Sequence, residues 1–251
     1  MKAFLLVISL GLCQGAWAFS DLGHKLVASA AWEQLTPKAK QHIEAILGQG
    51  KSKFVKASIW ADHIKGDSDF DHLKPLHYVN LPKDQRVYNQ QRDCPENKCV
   101  VEAINDYTKK VKTGSDSEKL LAIRMLIHLL GDIHQPLHAG LFEDRGGNGY
   151  KIKYKNKSLS MHKFWDNHAV KRFEKGLTTG TKRILAMDKK LVLGTPEKWA
   201  EESHGIVLDF VYQAKKKEEL SESYLLQTDV IMENQLNKGS WRLAQWLNGL
   251  W

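Results

Sequence analysis

The sequence predicts a mainly α-helical protein that folds as one compact domain with a single short β-hairpin. Apolar residues recur at helical spacing over most of the chain, whereas a two-residue alternation occurs in one stretch, residues 150–160. No repeat, low-complexity tract or linker divides the 251 residues. A chain that is 42% hydrophobic has ample apolar material for one core.

The N-terminus has the pattern of a signal peptide over residues 1–18. Lys2 precedes an apolar run from 3 to 12, and Ala16-Trp17-Ala18 places small residues where a signal peptidase cuts. The predicted domain therefore covers 19–251, begins at Phe19 and is secreted or periplasmic. Beyond the signal peptide, no stretch is apolar enough to insert stably in a membrane.

Two cysteines, Cys94 and Cys99, remain after this cleavage. Export to an oxidising compartment predicts that they form a disulfide, because the short polar segment between them can close into a loop. A pair of free thiols is the alternative.

Helix start and stop signals divide the first third of the chain. The predicted elements are a helix over 22–35, a second helix from Thr36-Pro37 to about residue 47, a short helix over 54–64 and an extended segment over 77–81.

The middle of the chain contains the most apolar helix, over 117–133. It is apolar nearly all round, which predicts that it is buried. Around it we predict a polar loop over 83–98, a helix over 99–111, a hairpin over 150–160 with a turn at Asn156-Lys157, and further helices that include 197–217 and 220–250.

Five histidines and three aspartates along this helical frame have the character of metal ligands. Imidazole and carboxylate groups suit zinc, and two His/Asp pairs are spaced four apart, on one helix face. A single histidine on an apolar helix is more often a hydrogen-bonded core residue, but a carboxylate there is seldom buried without a partner. The sequence thus predicts a multi-zinc site from His24, Asp62, His77, His128, Asp132, His138, His162 and Asp166.

The motifs around these residues resemble the S1/P1 nucleases, also called type I nucleases, and indicate a secreted bacterial member. They are Leu-Gly-His at 22–24, Trp-Ala-Asp at 60–62, Leu-His-Tyr-Val at 76–79, the segment 128–138, Gly-Gly-Asn at 146–148 and His-x-x-x-Asp at 162–166. The resemblance implies the compact helical fold shared with zinc-dependent phospholipase C, three Zn²⁺ ions and hydrolysis of single-stranded DNA and RNA to 5′-phosphorylated nucleotides. It also implies 3′-nucleotidase activity.

The resemblance further implies which residues hold which ion. The first ion takes Asp62, His77, His128 and Asp132; the second takes His138, His162 and Asp166; the third takes His24, an oxygen of Asp132 and the amino nitrogen and carbonyl oxygen of Phe19. An α-amino group binds metal only when it is free and deprotonated, so an uncleaved signal peptide leaves the third site incomplete. The family usually begins with Trp, and cleavage before Trp17 is the alternative.

The catalytic roles implied by the resemblance belong to Asp62, Asp132 and Lys65. Lys65 stands where the family often has Arg, and a lysine neutralises a phosphoryl oxygen without the bidentate fork. Asn167 and Tyr78, which neighbour predicted ligands, are the candidates for substrate binding, and structural packing is the alternative for each. We expect a monomer without an obligate protein partner.

Two other classes of function are alternatives. One is a zinc-dependent phospholipase C. The net charge of +8 is compatible with this class too, because a basic protein is attracted to anionic surfaces as well as to nucleic acid. Such enzymes generally have Glu at the position of Asp166 and lack the Gly-Gly-Asn element. The other is a non-catalytic zinc-binding protein, but three protein ligands at the second site leave room for water, as in catalytic sites.

Overall fold

Helices form most of the computed structural model, which describes residues 19–173, 176–187 and 191–251; the predicted signal peptide lies outside them. The α-helices are α1 Asp21–Glu33, α2 Pro37–Leu47, α3 Lys51–Ala57, α4 Trp60–His63, α5 Gln90–Asp93, α6 Val100–Thr113, α7 Asp116–Asp132, α8 Met161–Lys163, α9 Val170–Phe173, α10 Leu177–Leu185, α11 Pro196–Asp209 and α12 Glu222–Asn248. Short 3₁₀ helices occupy Ser68–His77, Pro95–Asn97, Pro136–Ala139, Phe142–Asp144 and Val211–Gln213, and Phe164–Ala169 is a π-helix. The mainly α-helical prediction is confirmed.

The apolar helix α7 lies at the centre of the core. Every residue from Met125 to Asp132 is buried, and α6, α1 and α12 pack around the helix. Its exposed N-terminus is capped because the Ser115 N–H donates to the Glu118 carboxylate at 2.8 Å. The helix therefore carries its last turn, with His128 and Asp132, into the interior.

Three predicted elements differ from the structure by more than a small shift at their ends. The single helix predicted over 54–64 is wrong, because the chain breaks after α3 and restarts as α4. The break leaves the Ser58 carbonyl free to accept a hydrogen bond from His128 at 2.7 Å. The helix predicted over 197–217 ends at Asp209, and the segment expected to be extended from His77 begins instead at Tyr78, after a 3₁₀ helix.

The hairpin pairs β1 Lys151–Tyr154 with β2 Lys157–Ser160 in antiparallel register, with Tyr154 opposite Lys157. The turn residues are Lys155 and Asn156, one position earlier than predicted, with φ of 52° and 61°. These values are typical of the type I′ turn that matches strand twist. A side chain such as that of Lys155 costs roughly 1–2 kcal/mol in this left-handed conformation.

The predicted disulfide between Cys94 and Cys99 is present, and both residues are buried. It lies immediately before α6, whose first residue, Val100, donates its N–H to the Tyr78 carbonyl at 3.1 Å. The disulfide loop thus supports the segment that follows His77. Among the described residues, no helix combines the length and the apolar character needed to cross a membrane.

Replacing both Cys94 and Cys99 with Ser should lower the free energy of unfolding by about 2 kcal/mol, because the cross-link restricts a short loop in the unfolded chain. Urea denaturation under non-reducing conditions measures the difference. The wild type measured in reductant is the control, and its free energy of unfolding should approach that of the variant. Equal stability of the oxidised wild type and the variant would contradict the prediction.

Candidate metal centre

The eight predicted histidines and aspartates meet in one buried region at the C-terminal end of α7. Each is 8% exposed or less. They are supplied by α1 (His24), α4 (Asp62), the 3₁₀ helices (His77 and His138), α7 (His128 and Asp132), α8 (His162) and the π-helix (Asp166). Residues far apart in the sequence therefore form one cluster.

Asp132 occupies the middle of the cluster. Its Oδ2 lies 2.8 Å from His77 Nδ1 and 3.0 Å from His128 Nε2, and its Oδ1 lies 3.3 Å from His24 Nε2 and 3.2 Å from His138 Nδ1. Burial alone would raise the pKa of Asp132, but attraction to His128 and His138 outweighs it and holds this pKa well below the usual value. Asp132 is therefore an anion surrounded by four imidazoles.

Backbone carbonyls fix the orientation of three of the rings. His128 Nδ1 lies 2.7 Å from the Ser58 oxygen, His138 Nδ1 2.8 Å from the His77 oxygen and His162 Nδ1 2.6 Å from the Gly146 oxygen. When Nδ1–H donates to a carbonyl, the Nε2 lone pair is left for a metal, which is the usual arrangement of metal-binding histidines. The rings are thus held ready to coordinate.

The Gly-Gly-Asn element has a structural reason at Gly146. This residue has φ of 62°, and a Cβ there would lie 2.7 Å from the Leu137 carbonyl oxygen. Only glycine fits this close approach, which brings the Gly146 carbonyl to His162. Gly131 is restricted similarly, since its Cβ would lie 2.7 Å from His24 Nδ1.

The donor atoms form three groups that could each hold a metal ion. The groups are His24 with Asp62 and His128, His77 with His128 and Asp132, and His138 with His162 and Asp166, each with its donor atoms within 4.8 Å of one another. The last group consists of the three residues that were predicted to bind the second ion. In the first, His24 is grouped with Asp62 and His128 rather than with Asp132, although its Nε2 is also 3.3 Å from that carboxylate.

Within the described ranges, several of these donor atoms are buried and make no hydrogen bond, although some lie within ion-pair distance of a charged neighbour. They are both ring nitrogens of His24, Asp132 Oδ1, His138 Nε2 and Asp166 Oδ2. Buried polar atoms are nearly always paired, and an unpaired one costs about 1–3 kcal/mol. Their concentration among nitrogen and oxygen ligands fits a site that binds metal ions.

The ring charges differ across the cluster. Burial lowers the pKa of His77 to about 4. Burial also disfavours a charge on His138, but Asp132 and Asp166 attract its proton and raise its pKa to about 9. Binding of a metal to His138 near neutral pH must therefore displace a proton.

The first described residues lie against the cluster. Phe19 is fully buried with its ring edge toward His24, at 6.1 Å between ring centroids. The next residue, Ser20, donates its N–H to the Asp166 carbonyl at 3.0 Å. The backbone at 19–20 is thus held between His24 and Asp166.

The remaining predicted site residues differ in their relation to the cluster. Lys65 Nζ lies 2.5 Å from Asp62 Oδ1, with its side chain 22% exposed. Tyr78 is 44% exposed and follows His77 directly. The Asn167 amide donates to the Lys163 carbonyl of its own helical segment at 3.4 Å.

Gln135 is a site residue that the sequence did not reveal. It is fully buried, its Nε2 donates to Asp166 Oδ1 at 2.6 Å, and its Oε1 accepts from the Leu137 N–H at 2.6 Å. It therefore engages one oxygen of Asp166 and leaves Oδ2 for another partner. The available signal was an amide between two predicted ligands, Asp132 and His138.

Replacing Gln135 with Leu should weaken metal binding at the His138, His162 and Asp166 group by about 10- to 100-fold, the usual effect of losing a partner that orients a ligand. Competition with a chelator measures the affinity. Gln213→Leu is a matched control because this exposed amide donates, among the residues that the structure describes, only to the Asp209 carbonyl. An unchanged affinity in Gln135→Leu would show that Asp166 needs no such support.

Comparison with known proteins places these features in a family. The chain matches the S1/P1 Nuclease family over residues 19–251. It is 26% identical to Nuclease S1 of Aspergillus oryzae over 96% of this chain and 94% of that protein, and 29% identical to Nuclease P1 of Penicillium citrinum over 90% and 96%. It is also 26% identical to Endonuclease 3 of Arabidopsis thaliana over 94% of this chain and 90% of the plant protein. Since the family match spans far more than half of the sequence, this chain belongs to the S1/P1 nuclease family.

Proposed function

We propose that the protein is an exported zinc-dependent nuclease that hydrolyses single-stranded DNA and RNA to 5′-phosphorylated nucleotides and removes 3′-phosphates from nucleotides. The observation that carries the proposal is the buried convergence of eight His and Asp side chains, several with unpaired donor atoms. Membership of the S1/P1 family supports the choice of nucleic acid as substrate.

Three Zn²⁺ ions are the proposed cofactors. Asp62, His77, His128 and Asp132 would hold the first, His138, His162 and Asp166 the second, and His24, Asp132 and the backbone nitrogen and oxygen of Phe19 the third. Nitrogen and oxygen donors of this kind suit zinc. The open coordination of the second ion, with only three protein ligands, favours catalysis over a purely structural role.

Zinc bound here would supply Lewis acidity, lowering the pKa of a water to about 7 and stabilising negative charge on the phosphoryl group. The chain itself holds three of the imidazoles, those of His128, His138 and His162, in place through the Ser58, His77 and Gly146 carbonyls. Lys65, beside Asp62 and partly exposed, is positioned to neutralise a phosphoryl oxygen of the substrate.

The depth of the cluster favours a single-stranded substrate. Asp132 and His128 are completely buried, so a scissile phosphate must enter the interior. A flexible strand can do so, whereas a duplex must first be unstacked at a cost of a few kcal/mol. The exposed ring of Tyr78, next to His77, offers a surface on which a base can stack.

Export agrees with two features. The N-terminal 18 residues have the composition of a signal peptide. The disulfide between Cys94 and Cys99 is of the kind that persists in a periplasm or outside the cell. We therefore propose that the active enzyme starts at Phe19 and works in an oxidising compartment. We also propose that it is a monomer.

Replacing Lys65 with Ala should lower kcat on single-stranded DNA by about 100-fold, because a positive charge aimed at the developing phosphoryl charge is lost. Lys65→Arg should recover most of the rate, since it keeps that charge. Lys56→Ala, at an exposed lysine on α3, is the control. If Lys65→Ala kept its rate, or Arg failed to rescue it, Lys65 would have no such role.

A substrate panel tests the proposed function. The purified mature protein is incubated with single- and double-stranded DNA, single-stranded RNA, a 3′-mononucleotide and phosphatidylcholine, and the product termini are identified. We expect cleavage of both single strands with 5′-phosphate and 3′-hydroxyl ends. Hydrolysis of phosphatidylcholine without cleavage of denatured DNA would instead identify a phospholipase C, and no turnover of any substrate would favour a zinc-binding protein.

A further inference from the structure

The turn that follows α7 joins two proposed ligands of different metal ions, Asp132 and His138. The helix ends at Asp132, and Pro136 stops it from continuing because proline has no N–H to donate. Every residue from 133 to 139 is buried. The carbonyl groups of this turn are therefore shielded from bulk water and need partners inside the protein.

Two of these carbonyls cannot be satisfied within the turn. In a helix, the Ile133 oxygen would accept from residues three or four positions later, but Pro136 has no N–H and the Leu137 N–H donates to Gln135 Oε1 at 2.6 Å. The His134 oxygen would need Leu137 or the residue after it, whose N–H donates to the Gln135 carbonyl at 2.9 Å. Both oxygens therefore depend on other parts of the chain.

Two buried side chains of the last two long helices supply the missing donors. Ser203 Oγ, on α11, donates to the Ile133 oxygen at 2.6 Å, and Gln235 Nε2, on α12, donates to the His134 oxygen at 2.8 Å. Gln235 Nε2 also lies 3.2 Å from Ser203 Oγ, and both residues are 1% exposed or less. We call this pair the α11–α12 bracket, because it links the two helices and the turn.

Neighbouring contacts keep the same two helices against the turn. His204 Nδ1, on α11, lies 2.8 Å from the Ala139 oxygen at the far end of the buried segment. Arg242, on α12, has its Nη1 3.1 Å from His134 Nε2 and pairs through Nη2 with Glu202 of α11 at 2.8 Å. The bracket is therefore part of a buried polar network rather than an isolated pair of hydrogen bonds.

The bracket contacts the backbone beside the metal ligands rather than the ligands themselves. Within the described ranges, neither Ser203 nor Gln235 forms a hydrogen bond with a proposed ligand side chain. A displaced turn would move His138, whereas Asp132 would stay in place because it belongs to α7. A misplacement of about 1 Å at a reacting centre can cost about 100-fold in rate.

We propose that Ser203 and Gln235 are positioning residues of the metal centre. They fix the turn after Asp132 and thereby set where His138 meets the second ion. The proposal rests on the proposed zinc sites, and the two residues touch neither metal nor substrate. If the bracket served packing alone, its loss would lower the stability of the fold and leave metal binding by the folded protein unchanged.

The test compares two double variants that each lose two buried hydrogen-bond donors. Ser203→Ala with Gln235→Leu removes the bracket. Thr228→Val with Ser240→Ala is the control, because both hydroxyls are fully buried and donate to carbonyls of α12 itself, at 2.9 and 3.0 Å. Zinc-loaded proteins are challenged with increasing chelator, and the visible absorption bands of the cobalt-substituted proteins report the coordination geometry.

For the bracket variant we expect one zinc ion to be lost with an affinity about 10- to 100-fold lower than in the wild type, the usual effect of losing support for a ligand. The other two ions should keep their affinities, and the cobalt absorption bands should change shape. On single-stranded DNA, kcat should fall about tenfold with KM nearly constant. The control variant should match the wild type in metal affinity and cobalt spectrum, although both variants should unfold at a lower temperature.

Two results would overturn the proposal. One is wild-type zinc affinity and cobalt spectrum in the bracket variant, and the other is an equal change in both double variants, which would indicate a general loss of stability. If the bracket variant does not fold, Ser203→Ala alone is measured. Its zinc affinity should fall about fivefold, the net value of one hydrogen bond, and an unchanged affinity overturns the proposal equally.

The metal measurements also separate this proposal from the proposed function. They require no turnover, so a wild type that binds zinc through a bracket-dependent site but cleaves no nucleic acid contradicts only the nuclease function. A wild type that cleaves single-stranded DNA while the bracket variant keeps its zinc affinity contradicts only the role of Ser203 and Gln235.

Discussion

Replacing Asp132 with Asn should remove nearly all turnover on single-stranded DNA and lower the zinc content of the protein. Asp132 has four imidazole nitrogens within 3.3 Å and is the proposed ligand of two ions. Removing a residue that hydrogen-bonds to a metal ligand typically lowers metal affinity or activity 10- to 100-fold. Removing a ligand that two ions share should therefore lower turnover by more than about 100-fold. Asn has the same shape, which separates the missing charge from a change in packing.

The matched control for this variant is Asp116→Asn. Asp116 is exposed in the first turn of α7, at the opposite end of the helix from Asp132. Turnover and zinc content, measured on the same preparations, should be normal in the control. Normal turnover of Asp132→Asn would show that Asp132 does not have the central role that we propose for it.

A single alanine added before Phe19 should leave the fold intact and remove one zinc ion together with most of the activity. The proposed third ion needs the free amino group of Phe19, which an additional residue converts into an amide. Phe19 is fully buried and Ser20 is hydrogen-bonded to Asp166, so the new residue cannot take the same place. Loss of a group that stabilises developing charge usually costs about 100- to 1000-fold in kcat.

Zinc content by mass spectrometry and initial rates on single-stranded DNA measure this effect. The control carries the additional alanine after Trp251, at the other end of the chain. If the N-terminally extended protein kept its full zinc content and rate, the terminal amino group would not be a ligand. Signal-peptide cleavage would then have no part in activation.

Helical spacing and motifs were sufficient to predict the fold class and the buried helix. The run from Leu120 to Leu130 is apolar nearly all round, which predicts burial, and α7 is the centre of the core. His128 and Asp132 could be placed together because four residues on a helix return to one face. These inferences use local geometry that the sequence specifies directly.

Contacts between distant segments were not predictable in this way. The break at Ser58 becomes intelligible only when its carbonyl is seen to accept from His128. The role of Gln135 depends on its hydrogen bond to Asp166, a residue that only the fold brings next to it. The spacing of residues in the sequence predicts each helix or strand separately, whereas these features depend on how the helices and strands pack against one another.

Counting zinc in the active enzyme tests the proposed metal centre most directly. Mature protein is analysed by inductively coupled plasma mass spectrometry and assayed on single-stranded DNA before chelation, after chelation and after zinc is restored. We expect three zinc ions per chain, loss of turnover with the metal and recovery when zinc returns. Full turnover by zinc-free protein would contradict the proposed mechanism.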